Sequence, residues 1–76
     1  MIIIMNNAIM IQTHPDLLQV QREKLVVEVG VVEGVVVARF NKRVTTGLFV
    51  LFYPRSITEK RILNYVKQCD QDATIL

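Results

Sequence analysis

The segment Arg39–Gln68, RFNKRVTTGLFVLFYPRSITEKRILNYVKQ, decides the fold because it contains a turn, a strand and a helix in direct succession. The run VVVARF, Val35–Phe40, leads into it and predicts a strand, and NKRVTTG, Asn41–Gly47, predicts a turn. LFVLFY, Leu48–Tyr53, is an almost continuous apolar run, typical of a strand that is buried on both faces or exposes an aromatic face. Pro54 ends this second strand, because proline lacks the backbone N–H of a sheet ladder.

A helix with clear start signals follows in SITEKRILNYVKQC. Thr58 is a good N-cap, and Ile57 and Ile62 have the spacing of a hydrophobic staple around it. Glu59 in the first turn and Lys67 in the last turn agree with the helix dipole. The helical spacing predicts an inward-facing stripe of Ile62, Tyr65, Val66 and Cys69. DQD then breaks the helix, and ATIL predicts a short last strand.

The N-terminal segment is rich in isoleucine and favours a strand. The pair Asn6–Asn7 allows either Ile2–Met5 or Ala8–Gln12 as the sheet strand, and we expect the later run because it leads directly into a helix start. That start is THPD, in which Thr13 can cap the helix, Asp16 can complete a capping box, and proline fits the first turn.

The first helix is expected to continue through residues 17–29, to Val29. Its predicted inward stripe is Leu18, Gln21, Leu25, Val29 and Val32. The second half of this segment is rich in valine, so a hairpin around Gly30 is the alternative. With a helix, Gly30 and Gly34 serve as the helix stop and the following turn.

The resulting order is strand, helix, strand, strand, helix, strand. It predicts an α+β, ferredoxin-like βαββαβ sandwich, in which two helices cover one face of a four-stranded antiparallel sheet. The open face or the loops are then the expected functional surface. The predicted core consists of Leu18, Leu25, Val36, Phe49, Leu51, Ile62 and Val66. The apolar run is continuous, so the sequence leaves open whether Phe49 or Leu51 faces the helices together with Val50.

From Gly34 to Leu76 the ordered set of turns, strands and helix resembles the heavy-metal-associated domain of copper chaperones and metal-transporting ATPases. In that family a Met-x-Cys-x-x-Cys loop between the first strand and the first helix holds the metal. Here the loop is QTHPDLLQVQ, which contains neither cysteine nor methionine. The chain therefore resembles a divergent member that lacks the CxxC metal loop, and the family's metal ligands have no counterpart in it.

Composition sets further bounds. Seventy-six residues, 1–76, form one domain, with residues 1–7 as a frayed start. No apolar run reaches the roughly 18–20 residues that span a bilayer, and a formal charge of +2 implies no strong polyanion partner. Cys69 is the only cysteine, so no disulfide forms within the chain, and together with the absence of a signal peptide this favours a cytoplasmic protein.

No catalytic or metal-binding set is evident. His14 beside Asp16 offers too few ligands for tight zinc binding, and we expect the methionines to pack rather than to bind Cu(I). The chain has one serine and one histidine, Ser56 and His14, with no pattern of a nucleophile and its base. We therefore expect no cofactor and no enzymatic activity.

Three kinds of binding remain as interpretations. The first is a non-enzymatic module that docks a protein partner or its own copy through the exposed sheet face or a sheet edge. The second is binding of single-stranded RNA or DNA, and weak copper binding is a further alternative. The expected binding surface is Arg39, Lys42, Arg43, Phe49 and Tyr53.

Overall fold

The computed structural model describes residues 6–76 and contains the six elements in the predicted order. They are β1 (Asn7–Gln12), α1 (Gln19–Gly30), β2 (Val35–Phe40), β3 (Gly47–Phe52), α2 (Glu59–Cys69) and β4 (Thr74–Ile75). The later of the two candidate N-terminal strands, Ala8–Gln12, therefore lies in the sheet as part of β1. The alternative Ile2–Met5 and most of the segment predicted to fray lie outside the described residues. No helix within the described range is long and apolar enough to cross a membrane.

The four strands form one sheet in the order β2-β3-β1-β4, and every neighbouring pair is antiparallel. Both helices contribute to a single core cluster on this sheet, so they cover the same face and leave the other face open. In the central pair, Ile9 lies opposite Val50 and Met10 lies opposite Phe49. The predicted ferredoxin-like sandwich is confirmed.

Strand β3 alternates strictly between the two faces of the sheet. Leu48, Val50 and Phe52 are buried beneath the helices, whereas Phe49 and Leu51 are half-buried on the open face. The expectation that Phe49 and Leu51 belong to the core is therefore wrong. The apolar run cannot reveal this, because every position is hydrophobic and only pairing with β1 and β2 fixes which residues face inward.

Two other predicted core residues are also misplaced. Leu18 is 64% exposed because it lies just before α1, and Val36 is 40% exposed because it lies at an irregularity in β2 on the sheet edge. Leu25, Ile62 and Val66 are buried as predicted. Within residues 6–76, the buried hydrophobic residues are Ile9, Ile11, Leu25, Val29, Leu48, Val50, Phe52, Ile57, Ile62, Val66 and Ala73.

Helix α1 begins later than the sequence signals suggest. Its N-cap is Leu18, whose backbone N–H donates to the Gln21 side chain over 2.8 Å, which is half of a capping box. The predicted cap, Thr13, is instead buried, and both its hydroxyl and its amide donate to the carbonyl of Thr46. Pro15 explains part of the shift, because it disfavours helical geometry at the preceding His14.

Helix α2 follows its sequence signals closely. The Thr58 hydroxyl accepts from the Arg61 amide over 3.3 Å, and Ile57 and Ile62 are both buried. The predicted inward stripe is only partly correct, because Tyr65 is 38% exposed and Cys69 is exposed. The connection before β2 requires a glycine at position 34, where φ is 96° and a Cβ would lie 2.9 Å from the Ser56 side chain.

A matched pair of substitutions tests the alternation of β3. Leu48→Ala is expected to lower the free energy of unfolding by about 2–5 kcal/mol, because it leaves a cavity beneath the helices. Leu51→Ala removes the same atoms from the half-buried open face and is expected to cost less than half as much. Urea unfolding followed by circular dichroism measures the free energy of unfolding of both variants. Equal losses of stability would contradict this strand register.

Candidate functional site

The loop between β1 and α1, residues 13–18, takes the place of the metal loop in the family that the sequence resembles. Hydrogen bonds close it at its start. The Thr13 amide and hydroxyl lie 2.8 and 2.9 Å from the Thr46 carbonyl oxygen, and the Gln12 amide group donates to the Thr46 hydroxyl over 2.6 Å. The loop is thereby tied to the turn between β2 and β3.

The carboxylate of Asp70 binds the backbone of this loop at His14. Asp70 is only 6% exposed, and its Oδ2 accepts from the His14 amide over 2.7 Å. Its Oδ1 accepts from the Asp72 amide over 3.1 Å, so both carboxyl oxygens have partners. A carboxylate at the end of α2 thus holds backbone of the loop where a metal site would require flexible side-chain ligands.

The side chains of this loop do not suit Cu(I) or zinc. The loop contains no sulfur ligand, and the Nδ1 atom of His14 already accepts from the Asp16 amide over 3.0 Å. Among residues 6–76, no three His, Cys, Asp or Glu side chains come close enough together to hold a metal ion. Soft Cu(I) prefers thiolates or thioethers, and zinc requires at least three protein ligands.

Four of the five residues predicted as a binding surface come together at the β2–β3 hairpin. Arg39, Lys42, Arg43 and Phe49, with Phe40 and Asn41, line an open pocket of about 500 Å³. Arg39 lies directly opposite Phe49, and its guanidinium carbon is 5.5 Å from the centre of the ring. Tyr53 does not line this pocket, because it follows Phe49 by four residues, about 13 Å along an extended chain.

A second surface was not predicted from the sequence. Helix α1 exposes Val20 and Val27 by 68% and 63%, on the side opposite its buried Leu25 and Val29, and Val31 at its C-cap is 78% exposed. We call these three valines the valine stripe. Their spacing of seven and four residues is a helical pattern in its own right. The sequence thus contains two apolar stripes in this segment, and the pattern alone does not show which of them is exposed.

A recess of about 300 Å³ lies beside the valine stripe, between α1 and the end of β2. The Arg22 guanidinium carbon lies 4.0 Å from the centre of the Phe40 ring in this recess. Val26, Val27, Gln19 and Glu23 complete its lining. An apolar floor with one cation and one carboxylate at its rim suits a protein side chain better than a charged small molecule.

Cys69 contacts α1 rather than the core. Its Sγ donates to the Glu28 Oε2 over 3.2 Å, and Glu28 also pairs with Lys24 over 3.7 Å. Desolvation raises the pKa of the Cys69 thiol, and the hydrogen bond and negative charge of Glu28 raise it further. Lys24 acts in the opposite direction and Asp70 in the same direction as Glu28. The thiol is therefore poorly suited to nucleophilic or metal chemistry.

Comparison with known proteins identifies structures with the same fold but no family by sequence. No protein-family model matches the chain, and no curated protein matches its sequence. Solved structures with the same fold do exist.

One of these structures is a copper transporter domain from yeast, solved in apo and Cu(I)-loaded states. It has 17% identity and a TM-score of 0.74 over 91% of this chain and 93% of its own. A second, a putative copper-ion-binding protein from Bacillus anthracis, has 12% identity and a TM-score of 0.76 over 96% and 99%. A third, a copper form of a CopA variant from Bacillus subtilis, has 13% identity and a TM-score of 0.71 over 99% and 95%. The resemblance to heavy-metal-associated domains is thus confirmed at the level of the fold.

We expect this chain not to bind Cu(I) tightly. Titration of the protein with Cu(I) against a competing chelator should show no sub-micromolar affinity, because the loop offers no pair of soft ligands. A tight site that is lost in Met10→Leu or His14→Ala would contradict this expectation. Met10→Leu is the stricter variant, because it removes the sulfur and conserves the volume of the side chain.

The environment of Cys69 predicts slow alkylation that depends on Glu28. Glu28→Gln removes the negative charge and should lower the thiol pKa, so the alkylation rate at a fixed, mildly alkaline pH should rise. Glu23→Gln, on the same helix, is the control because Glu23 is not among the groups that shift this pKa, and it should leave the rate unchanged. Equal rates in all three proteins across a pH series would show that Glu28 has no influence.

Proposed function

We propose that the chain is a non-enzymatic interaction module that binds a second copy of itself through the valine stripe and the β2 edge. The observation that carries this proposal is that α1 is apolar on two opposite sides while only one of them contacts the sheet. A surface helix of a monomer normally confines its apolar residues to one side. Helix α2 follows that rule, with Ile62 and Val66 buried and a charged outer side.

Strand β2 supports a shared sheet. It is six residues long and lies at one end of the strand order, so one side of its backbone has no strand partner within the described residues. The opposite edge, β4, has only two residues. An exposed edge rich in valine is a template for pairing with another chain. Antiparallel pairing of two β2 strands about a two-fold axis would place both α1 helices side by side.

Charge favours this surface over the open sheet face for self-association. The sides of α1 carry both signs, with Arg22 and Lys24 near Glu23 and Glu28, so a two-fold pairing can set opposite charges against each other. The open face carries Arg39 with Lys42 and Arg43 nearby, and stacking two copies there would bring like charges together. The occupant we infer for α1 and β2 is therefore a second copy of the chain.

Copper binding is the other function that the fold suggests, since all three structural neighbours are described as copper proteins. The residues of the Thr13–Leu18 loop do not favour it, because none offers a soft sulfur ligand and both the Thr13 hydroxyl and the His14 Nδ1 atom already take part in hydrogen bonds. An enzymatic role has no support from the described side chains. The only serine, Ser56, lies in the turn before α2, whereas His14 lies in the loop after β1.

Sedimentation velocity over a wide range of protein concentration tests self-association. The wild-type chain should shift from monomer to dimer, and Val27→Lys and Val36→Lys should each weaken the dimer at least about tenfold, which is about 1.4 kcal/mol. Both valines are exposed, so the monomer should retain its circular dichroism spectrum. Gln68→Lys introduces the same charge on the exposed side of α2 and should leave the dimer intact.

Two outcomes would contradict the proposal. One is a wild-type protein that stays monomeric at the highest concentration. The other is a dimer that Val27→Lys and Gln68→Lys weaken equally, because this would place the interface away from α1. Raising the salt concentration should change the dimer affinity little, since burial of apolar surface is not screened by salt.

A further inference from the structure

The pocket at the β2–β3 hairpin is built on a fixed backbone. The Asn41 side chain accepts from the amides of Arg43 and Val44 over 2.7 and 3.0 Å, and the Asn41 amide donates to the Gly47 carbonyl over 2.8 Å. The Gly47 amide in turn donates to the Val44 carbonyl over 2.8 Å. These bonds hold the turn in one conformation, so Lys42 and Arg43 start from a defined position at its tip.

In the part of the chain that the structure describes, no carboxylate lies within 4 Å of the charged groups of Arg39, Lys42 or Arg43. Within residues 6–76, the ion pair between a Lys or Arg and a carboxylate is Lys24–Glu28, and it does not involve Arg39, Lys42 or Arg43. Three of the nine Lys and Arg residues of the chain therefore lie around one pocket without a compensating charge. Such a cluster creates a local positive potential that a net charge of +2 does not reveal.

An aromatic ring lies beside these cations. Phe49 is half-buried on the open face, with the Arg39 guanidinium above one side of its ring. Aromatic rings and guanidinium planes are the groups on which unpaired bases stack, and the neighbouring Lys and Arg side chains suit the phosphates that link them. The pocket volume of about 500 Å³ lies within the range of sites that hold small ligands, roughly 300–1,000 Å³.

We propose that this pocket binds single-stranded nucleic acid, with one base stacked at Phe49 and Arg39 and the adjacent phosphates at Lys42 and Arg43. Phe49 favours nucleic acid over a polyanion without bases, because its ring can stack on a base, whereas the cations alone would attract any polyanion. The pocket shares Arg39 and Phe40 with strand β2 but contains no residue of the valine stripe, so the proposal stands whether or not the chain self-associates. In this proposal the open face of the sheet binds nucleic acid, whereas the valine stripe and the β2 edge bind a second copy of the chain.

Fluorescence anisotropy with a labelled oligothymidylate at low salt tests the proposal. The double variant Lys42→Ala/Arg43→Ala should weaken binding at least about tenfold and should reduce the slope of log K against log salt by about 1.4, that is about 0.7 for each lost phosphate contact. Lys60→Ala/Arg61→Ala removes two cations from α2 and is the matched control. Its affinity should stay within about twofold of the wild-type value.

Phe49→Leu separates base stacking from general attraction to anions. It should weaken oligothymidylate binding at least about fivefold, because stacking of one base is lost, and should leave binding of inorganic polyphosphate unchanged. Phe49 is half-buried, so circular dichroism should confirm that the variant keeps its fold.

Three results would overturn the proposal. The first is an absence of oligothymidylate binding at low salt. The second is an equal loss of affinity in the hairpin and α2 double variants. The third is a Phe49→Leu variant with unchanged oligothymidylate affinity, or with equal losses for oligothymidylate and polyphosphate, which would mark the hairpin as a site for base-free polyanions.

Discussion

The pairing of strand β3 with both of its neighbours is the constraint on which the rest of the structure depends. Because β3 is hydrogen-bonded to β1 on one side and to β2 on the other, it cannot shift by one residue without turning Leu48, Val50 and Phe52 away from the helices. The same register fixes Phe49 on the open face opposite Arg39. Core packing and the composition of the hairpin pocket are therefore two consequences of one alternation.

The two helices differ in how many of their sides are apolar. Helix α2 follows the usual pattern, with Ile62 and Val66 against the sheet and polar side chains toward solvent. Helix α1 buries Leu25 and Val29 and still exposes the valine stripe. A domain of 76 residues has limited core volume, so apolar residues on a second side of a helix remain at the surface unless another molecule covers them.

The loop after β1 is held in place by distant parts of the same chain. Asp70 and the Thr46 carbonyl hold backbone groups of His14 and Thr13, so the loop is fixed by hydrogen bonds within the chain. A site that exchanges a metal ion by ligand transfer requires soft side chains at this position, and the loop has none. The likeness to the three solved copper proteins, at 12–17% identity, accordingly extends to the fold.

Local signals in the sequence were enough to determine the order of elements and several of their bounds. Strand β2 matches the predicted run Val35–Phe40, and α2 begins after the predicted cap Thr58. These features depend on residues within one or two turns of each other, such as the staple of Ile57 and Ile62, so a linear reading can find them. The clustering of Arg39, Lys42 and Arg43 likewise follows from their proximity in sequence.

Only the tertiary structure decided the features that depend on distant parts of the chain. Thr13 looks like a helix cap, but it bonds to Thr46, which is 33 residues away, and α1 begins at Gln19 instead. The uniformly apolar run of β3 hides its inward side until β1 and β2 pair with it. Tyr53 directly follows β3 and Phe49 lies within it, yet only Phe49 lines the pocket of the hairpin cations. Sequence patterns report local preferences, whereas long-range pairing determines which of those preferences the folded chain can satisfy.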